Sequence, residues 1–339
     1  MNRIEAKTGQ SIDFVKASLI NPELVESILE LPELKRKLSI IDIGSGDATS
    51  SQDLLNSLIS ADRRIKNLAL VEVDINIFPE LVGTVTTEPI NSLSTQIIQA
   101  EKRDLVAEFL MQFEEKYDLA LSQLVLNQIK SDSEASYLMY LAYRALKPNG
   151  NLFIVNLHPN YLQYLAHNEP NKFKLADVTN GRMVGTYNFD TSGSAQVYSR
   201  SIESQVAMLL ELGFDFVKIM PITTEAIADQ KPRYGNLAEK GVPMFYLMQL
   251  RKNADNFISS TSGVVQKIKP YKEQWIVVTF MDGDEIKVPR FTDWEKVNNG
   301  DSLILQETYR REIGTSLLNY WVVNPDEEVI GGQLIVQTK

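Results

Sequence analysis

A glycine-containing turn between a buried strand and a helix is the first feature of this sequence that could bind a ligand. The apolar run Leu38–Ile43 leads into Gly44-Ser45-Gly46, and a helical pattern follows from Thr49. Glycine lets the backbone turn sharply and lets a ligand approach without a Cβ in the way. The N-terminus of the next helix adds unpaired N–H groups and partial positive charge. The turn predicts a cofactor site, although a purely structural glycine turn remains the alternative.

Two further features indicate which cofactor would fit this turn. Thr49 occupies the position where the dinucleotide fingerprint needs a third glycine, which argues against pyrophosphate binding. Asp74 ends a second apolar strand about 30 residues later, where its carboxylate could accept hydrogen bonds from ribose hydroxyls. Glu72 is the rival for this contact, because it lies two residues earlier on the same face of the strand. The pattern favours an adenosine-type cofactor.

Alternating strands and helices must position these residues. The predicted strands are residues 38–43, 68–74, 96–100, 117–122, 151–157, 216–220 and 245–250, and helices are predicted near 49–59, 137–146 and 201–213. This alternation predicts an α/β fold with a doubly wound, mostly parallel sheet. We assign residues 1–252 to this cofactor-binding domain, with an insert or lid at about 158–200.

The pattern changes to period-2 alternation near residue 253. Residues 255–262 are predicted to be a linker, and residues 256–339 a small all-β barrel domain, SH3-like or OB-like. Residues 275–288 predict a hairpin with an Asp-Gly turn. Residues 255–339 hold nine Lys+Arg and thirteen Asp+Glu, a net charge of −4, which disfavours nucleic-acid binding. Substrate recognition and a homodimer contact remain open as roles for this domain.

Composition excludes several classes of site. The chain has 339 residues, a net charge of −10, no Cys and only two His. The absence of Cys excludes disulfides, thiol nucleophiles and thiolate metal ligands, and two His make a multi-histidine zinc site unlikely. The sequence contains no run of about 18 apolar residues, and its start lacks the apolar segment of a signal peptide. We therefore expect no metal, no membrane span and a cytoplasmic location.

Four motifs in order resemble those of the class I S-adenosylmethionine-dependent methyltransferases. They are Ile40–Asp47, Val71–Asn76, Tyr117–Ile129 and Arg144–Leu152. The similarity covers roughly residues 38–160 and is weaker to about residue 250. It implies a class I methyltransferase-like fold, S-adenosylmethionine as the cofactor, and methyl transfer as the activity.

The resemblance also implies roles for individual residues. Gly44, Ser45 and Gly46 would pass under the methionine and ribose parts of the cofactor, and Asp42 would help place its amino end. Asp74, followed by Ile75, would hold the ribose. Glu101 would face the adenine amine, although a solvated charge is an equal alternative there. Gln123 and Leu124 would border the methyl group.

The acceptor is less defined than the donor. His158 directly follows the fifth strand and could act as a general base near neutral pH, although a packing or capping role is the alternative. His167 is expected at an exposed helix end. The insert is rich in aromatic residues that could cover a small molecule or could simply pack, namely Tyr161, Tyr164, Phe173, Tyr187, Phe189 and Tyr198.

We expect methyl transfer to oxygen or nitrogen of a small-molecule acceptor, for which biosynthetic metabolism is one setting. One alternative is a protein or peptide methyltransferase in which the β-domain docks the substrate. The other is a non-catalytic binding protein that retains the fold.

Overall fold

The computed structural model describes residues 15–31, 37–44, 49–61, 67–74, 87–90, 93–99, 113–179, 182–188, 193–310, 314–324 and 329–336. The helices are α1 (Asn21–Leu29), α2 (Thr49–Ala61), α3 (Asp132–Ala145), α4 (Pro159–Asn168), α5 (Ile202–Glu211) and α6 (Pro232–Glu239). The first half contains strands β1 (Lys37–Ile43), β2 (Asn67–Asp74), β3 (Thr87–Ile90), β4 (Leu93–Gln99), β5 (Tyr117–Gln123) and β6 (Leu146–Leu157). The middle contains β7 (Phe173–Thr179), β8 (Arg182–Asn188), β9 (Ser194–Ser199), β10 (Phe214–Ile222) and β11 (Phe245–Lys252). The last part contains β12 (Phe257–Lys272), β13 (Trp275–Phe280), β14 (Glu285–Pro289), β15 (Ser302–Arg310), β16 (Thr315–Val323) and β17 (Val329–Val336).

The largest sheet has eight strands in the order β10-β11-β6-β5-β1-β2-β4-β3. Strands β6, β5, β1, β2 and β4 are parallel to their neighbours in this run, whereas β11 is antiparallel to β6 and β10. The chain runs outward from β1 through β2 to β4 and then returns to β5 on the other side. This topology confirms the predicted doubly wound, mostly parallel sheet. Strand β3, which pairs antiparallel with β4 at the edge, was not predicted from the sequence.

The central strands are buried on both faces, so they form continuous apolar runs rather than alternating ones. Ala120, Leu152 and Ile154 belong to one apolar core, whereas Leu121 and Phe153 belong to the core on the opposite face. The first core also contains α3, and the second contains residues of α1, α2, α4 and α6.

Helix α3 is buried on all sides after its first turn. The Ser131 side chain caps its N-terminus by accepting a hydrogen bond from the Glu134 N–H at 3.3 Å, so the helix begins five residues before the predicted start. Every side chain from Tyr137 to Ala145 is buried. The reason is that the helix lies between the α/β sheet and the C-terminal strands, where the Tyr140 ring is 4.7 Å from the Trp321 ring.

The C-terminal strands form a six-stranded antiparallel sheet in the order β14-β13-β12-β15-β16-β17. The predicted hairpin is confirmed by β13 and β14, whose turn contains Gly283 at a φ of +94°. The small all-β domain is therefore present. Pairing that would close the predicted barrel is not found among the described residues, where β14 and β17 lie at the two edges of the sheet.

The predicted linker at residues 255–262 is wrong. Residues 257–264 pair with β15 as the first half of β12. Buried side chains of the C-terminal sheet also reach the end of α5, where Gln306 donates to the Leu212 carbonyl and Thr308 and Asn319 donate to the Glu211 carbonyl. Terminal helix carbonyls lack intrahelical partners, so these bonds satisfy groups that would otherwise need water. The two parts of the chain are packed directly together.

The predicted insert contains α4 and a small antiparallel sheet in the order β7-β8-β9. It leaves the main sheet at the carboxyl end of β6 and returns through Arg200 and Ser201 into α5. The insert therefore starts from the edge of the sheet at which a ligand of a doubly wound fold binds.

Candidate functional site

The carboxyl ends of β1 and β5 define the candidate site. These neighbouring strands pair with Asp42 opposite Leu121, and the chain leaves them in opposite directions across the sheet. This is the topological switch point of the fold, and ligands of open α/β sheets bind in the crevice outside it.

Gly44 makes the turn that the sequence predicts at the end of β1. Its φ is +79°, a conformation that favours glycine. A Cβ at this position would lie 2.6 Å from Cγ2 of Val125, so the turn after β1 and the loop after β5 approach each other closely. Asp42, just before the turn, is buried with 2% of its surface exposed. Ser45 and Gly46 lie outside the described residues.

The register of β2 distinguishes the two candidate ribose carboxylates. Glu72 is level with Asp42, and Val73 is level with Ile43. The Asp74 backbone therefore lies one residue beyond the paired end of β1, level with the Gly44 turn. Asp74 is therefore the acid nearer the carboxyl end of β2, and its role as the ribose contact remains a prediction.

Two other predicted cofactor residues cannot be placed. Ile75 and Glu101 lie outside the described residues, so their roles remain predictions.

Gln123 supplies a polar group at this edge that other described residues do not satisfy. Its side chain is 7% exposed, and neither its amide nitrogen nor its amide oxygen has a hydrogen-bond partner among the described residues. A buried polar group without a partner is costly, so such a group calls for an explanation. The orphaned amide, next to the Gly44 turn, fits a bound polar ligand.

Leu124 follows Gln123 in a strained conformation. Its φ is +63°, in the left-handed region that non-glycine residues rarely adopt. The Leu124 N–H donates to the Val155 carbonyl at 2.7 Å, which holds the end of β5 against β6. Backbone strain of this kind concentrates at functional sites.

His158 caps helix α4. Its Nδ1 accepts a hydrogen bond from the Asn160 N–H at 3.1 Å, and its ring lies edge-on to Tyr246 with centroids 6.1 Å apart. Partial burial lowers the pKa of His158 below its ordinary value of 6.5, which favours the neutral ring at pH 7. Because Nδ1 accepts, the neutral ring carries its proton on Nε2. The base role of His158 remains a prediction. His167 is exposed in the last turn of α4, as expected.

A buried polar cluster behind His158 was missed by the sequence analysis. The Asn156 amide nitrogen is 3.1 Å from Oε1 of Gln205 and 3.2 Å from the Tyr246 hydroxyl, which itself donates to that Oε1 at 2.7 Å. Its members come from β6, α5 and β11. The signal in the sequence was a polar residue inside each of three apolar segments, but nothing in the sequence paired them.

Some aromatic residues of the insert are buried in the core, and others are partly exposed. Tyr161 and Phe173 are fully buried, which identifies them as core residues. The Tyr161 hydroxyl lies 3.3 Å from that of Tyr187, which is half-buried, as are Tyr164 and Tyr198. Phe189 lies outside the described residues.

Other classes of site are not visible in the described part of the chain. It contains no group of three or more His, Cys, Asp or Glu side chains that could hold a metal ion. No helix within the described ranges is long and apolar enough to cross a membrane.

The chain matches no protein-family model and no curated protein significantly. Among solved structures it is similar to an S-adenosylmethionine dependent methyltransferase from Mesorhizobium loti, at 18% identity and a TM-score of 0.43, over 68% of this chain and 96% of that one. It is also similar to a 1,6-didemethyltoxoflavin-N1-methyltransferase from Burkholderia thailandensis, at 11% identity and a TM-score of 0.40, over 70% of this chain and 78% of that one. A third similar structure is the cyclase SpnF, at 13% identity and a TM-score of 0.36, over 68% of this chain and 80% of that one. At these TM-scores the similarity is too distant to assign an activity.

Proposed function

We propose that this chain is an S-adenosylmethionine-dependent methyltransferase that acts on an oxygen or nitrogen atom of a small molecule. The observation that carries the proposal is the buried Gln123 amide, which lacks a partner among the described residues and lies at the level of the Gly44 turn. A site built around an unsatisfied buried amide implies a polar ligand. The motifs Ile40–Asp47, Val71–Asn76 and Tyr117–Ile129 identify that ligand by their resemblance to a methyl-donor site.

Each candidate residue at the carboxyl ends of β1, β2 and β5 has a role in this proposal. Bound S-adenosylmethionine would supply an electrophilic methyl group on a sulfonium, open to in-line attack. Gly44 would form the turn under the cofactor, Asp42 would place its amino end, and Asp74 would accept hydrogen bonds from its ribose hydroxyls. Gln123 would donate to and accept from the ligand. The main work of the site is to hold donor and acceptor in line and to exclude water.

The acceptor would lie between the loop after β5 and the insert. Gln123 and Leu124 would border the transferred methyl group, and the insert would cover the acceptor. His158 is the proposed base. It could take the acceptor's proton only after losing its Nδ1 contact with Asn160, because that contact occupies the one lone pair of the neutral ring. Either Nδ1 itself would accept the proton, or the ring would change tautomer, with its proton on Nδ1 and the lone pair on Nε2.

The alternative acceptor, a protein or peptide docked on the C-terminal sheet, is not needed to explain that sheet. Its buried residues Gln306, Thr308 and Trp321 pack against α3 and the end of α5. Packing alone therefore accounts for their presence. A screen of small molecules and peptides that monitors S-adenosylhomocysteine release would decide between the two acceptor classes.

The proposal is tested by calorimetry with S-adenosylmethionine and S-adenosylhomocysteine, using Gln123→Leu and the exposed Gln266→Ala as a control. We expect Gln123→Leu to weaken S-adenosylhomocysteine binding by about tenfold, because a ligand that bonded to the amide meets an apolar group. The same change should raise the free energy of unfolding of the ligand-free protein by up to about 1 kcal/mol, because it removes unsatisfied buried polar atoms.

Opposite effects on stability and binding are the signature of a ligand-binding amide. If wild-type protein binds neither compound, the methyltransferase proposal is wrong. If Gln123→Leu binds as tightly as Gln266→Ala, Gln123 is not a cofactor contact.

A further inference from the structure

Arg200 lies between the insert and α5, and its buried side chain serves a single loop. Its Nη1 donates to the Leu126 carbonyl at 2.9 Å, and its Nη2 donates to the carbonyls of Ile129 and Ser131 at 3.1 and 3.0 Å. Its Nε donates to the Asp132 carboxylate at 2.6 Å. One guanidinium therefore donates to three carbonyls of the loop between β5 and α3 and to the first residue of α3.

The same loop is fastened at two further points. The Tyr198 N–H of β9 donates to the Asn127 carbonyl at 2.8 Å, which joins the loop to the last strand of the insert. The Asn127 side-chain oxygen accepts from the Leu157 N–H at 2.9 Å, which joins it to the end of β6. The loop thus begins at the strained Leu124 and is held along its whole length.

The chemistry of arginine suits this position better than that of lysine. A guanidinium presents five N–H donors in a rigid plane, so it can serve several carbonyls at once, whereas an ammonium is a point charge on a flexible stem. Arg200 is only 6% exposed, so each carbonyl that it satisfies has little access to water. Removing the Arg200 guanidinium would leave buried carbonyls without hydrogen-bond partners. This cost would favour a different conformation of the loop.

The backbone of Arg200 is held by a hydrogen bond from a side chain of α5. Its carbonyl accepts from the Gln205 side chain at 3.1 Å, and Gln205 bonds to Asn156 and Tyr246. A continuous run of hydrogen bonds therefore extends from β6 and β11 through Arg200 to the loop after β5.

We propose that Arg200 is a positioning residue that holds the loop 124–131 so that Gln123 faces the bound ligand, and that couples the insert to the site. The identity of the ligand rests on the proposed function, whereas the coupling of Arg200 to the loop does not. Loss of the guanidinium should make the loop 124–131 more mobile while the main sheet stays folded.

The test compares Arg200→Lys with Arg182→Lys by hydrogen exchange in the ligand-free protein. Arg182 is a matched control, because it lies 3.7 Å from the same Asp132 carboxylate and stacks on Tyr198, but no bond to the loop carbonyls is found for it among the described residues. We expect Arg200→Lys to speed exchange of the amides of 124–131 by about tenfold or more, with β11 and α5 unchanged. Arg182→Lys should leave the loop as in wild type.

Calorimetry with S-adenosylhomocysteine on the same proteins supplies the second readout. We expect its affinity to fall by about fivefold in Arg200→Lys and to stay within about twofold in Arg182→Lys, because only the first variant frees the neighbour of Gln123. Unchanged loop exchange in Arg200→Lys would overturn the proposal. So would a loosened loop with unchanged affinity, or faster exchange spread equally over β11 and α5.

A second variant tests whether the guanidinium itself protects the loop, as distinct from a general effect of the substitution on folding. Arg200→Ala should regain loop protection when millimolar guanidinium ion is added, whereas equal tetramethylammonium should have no effect, because only the planar ion can donate to the carbonyls. If added guanidinium ion does not restore protection in folded Arg200→Ala, the hydrogen bonds of the guanidinium are not what holds the loop. If wild type does not bind S-adenosylhomocysteine, the methyltransferase proposal fails while the exchange and rescue data still decide the role of Arg200.

Discussion

His158 holds a position in which one nitrogen has a structural task. Its Nδ1 satisfies the Asn160 N–H at the start of α4, a bond that an N-cap side chain normally supplies. The proposed proton transfer and this cap compete for the same ring. The two roles can be separated, because asparagine is a preferred N-cap and is not a base at neutral pH.

We expect His158→Asn to keep the stability of wild type and His158→Ala to lose about 1 kcal/mol, because only the alanine variant loses the cap. Urea unfolding measures this difference. Turnover, measured once an acceptor is known, then decides the chemistry. A loss of about a hundredfold or more in both variants would establish a base, whereas turnover retained by His158→Asn would leave His158 as a cap.

Asp74 and Glu72 offer a second comparison at the scale of single residues. The register of β2 with β1 places Asp74 beyond the paired end of the strand and Glu72 within it. We expect Asp74→Ala to weaken S-adenosylhomocysteine binding by about 10- to 100-fold, the cost of losing hydrogen bonds to a charged group. Glu72→Ala should change it by less than about threefold. The reverse order in calorimetry would move the ribose contact to Glu72.

Helix α3 connects the two parts of the molecule at the scale of elements. Its tyrosines contact both sides, and the Tyr140 hydroxyl reaches the Ser260 hydroxyl of β12 at 2.9 Å while its ring packs on Trp321. A helix without a polar face is buried all round. The C-terminal sheet is therefore the cover that α3 needs.

Trp321→Ala should lower the free energy of unfolding by about 3–5 kcal/mol, because it opens a cavity beside Tyr140. Trp275→Ala is the matched control, since Trp275 is 40% exposed on β13 and its loss should cost less than about 1 kcal/mol. Denaturant unfolding followed by far-ultraviolet circular dichroism measures both. Equal costs for the two variants would mean that the packing of Trp321 on α3 contributes little.

The same helix shows what the sequence could and could not predict. The alternation of strands and helices predicted a doubly wound, mostly parallel sheet, and the Asp-Gly turn predicted the β13–β14 hairpin, because both depend on local patterns. The continuous pairing of 257–264 with β15 depends on a partner far along the chain, so that segment looked like a linker. The apolar, tyrosine-rich sequence of α3 was the available signal that something must cover it.

The candidate site also contains residues whose positions could be predicted from the sequence and a residue whose position could not. Gly44 follows β1, and Asp74 and Gln123 are the last residues of β2 and β5. All three lie within recognisable motifs, so their places at the carboxyl ends of the strands could be predicted. Arg200 could not, because its task is defined by carbonyls about 70 residues away in sequence, and only the fold brings these together.

At the scale of the whole molecule, one apolar core is shared by the two parts of the chain. Ile304, Trp321 and Val323 of the C-terminal sheet lie in the same buried cluster as Tyr140 and Leu152 of the α/β part. The C-terminal sheet also has a core of its own, which includes Val278 and Phe280. Domains that have only separate cores can unfold independently, whereas a shared core couples them. We therefore expect the shared core to couple the unfolding of the two parts.

Scanning calorimetry should show one unfolding transition for the full chain. Its calorimetric and van't Hoff enthalpies should agree, because the core around α3 is complete only when both parts of the chain are folded. S-adenosylhomocysteine should shift that single transition upward. Two resolved transitions, of which only the first responds to the ligand, would show that the C-terminal sheet is independently stable.

The bond between Ser133 and the Gly331 carbonyl joins residues 198 positions apart, at the start of α3 and in the last described strand. During synthesis, α3 is complete long before the strands that cover it exist. At about 5–20 residues per second, the interval is on the order of 10–40 s. For that time the nascent chain exposes an apolar, tyrosine-rich helix face. We therefore expect the chain to be prone to aggregation during this interval, until the C-terminal strands cover α3.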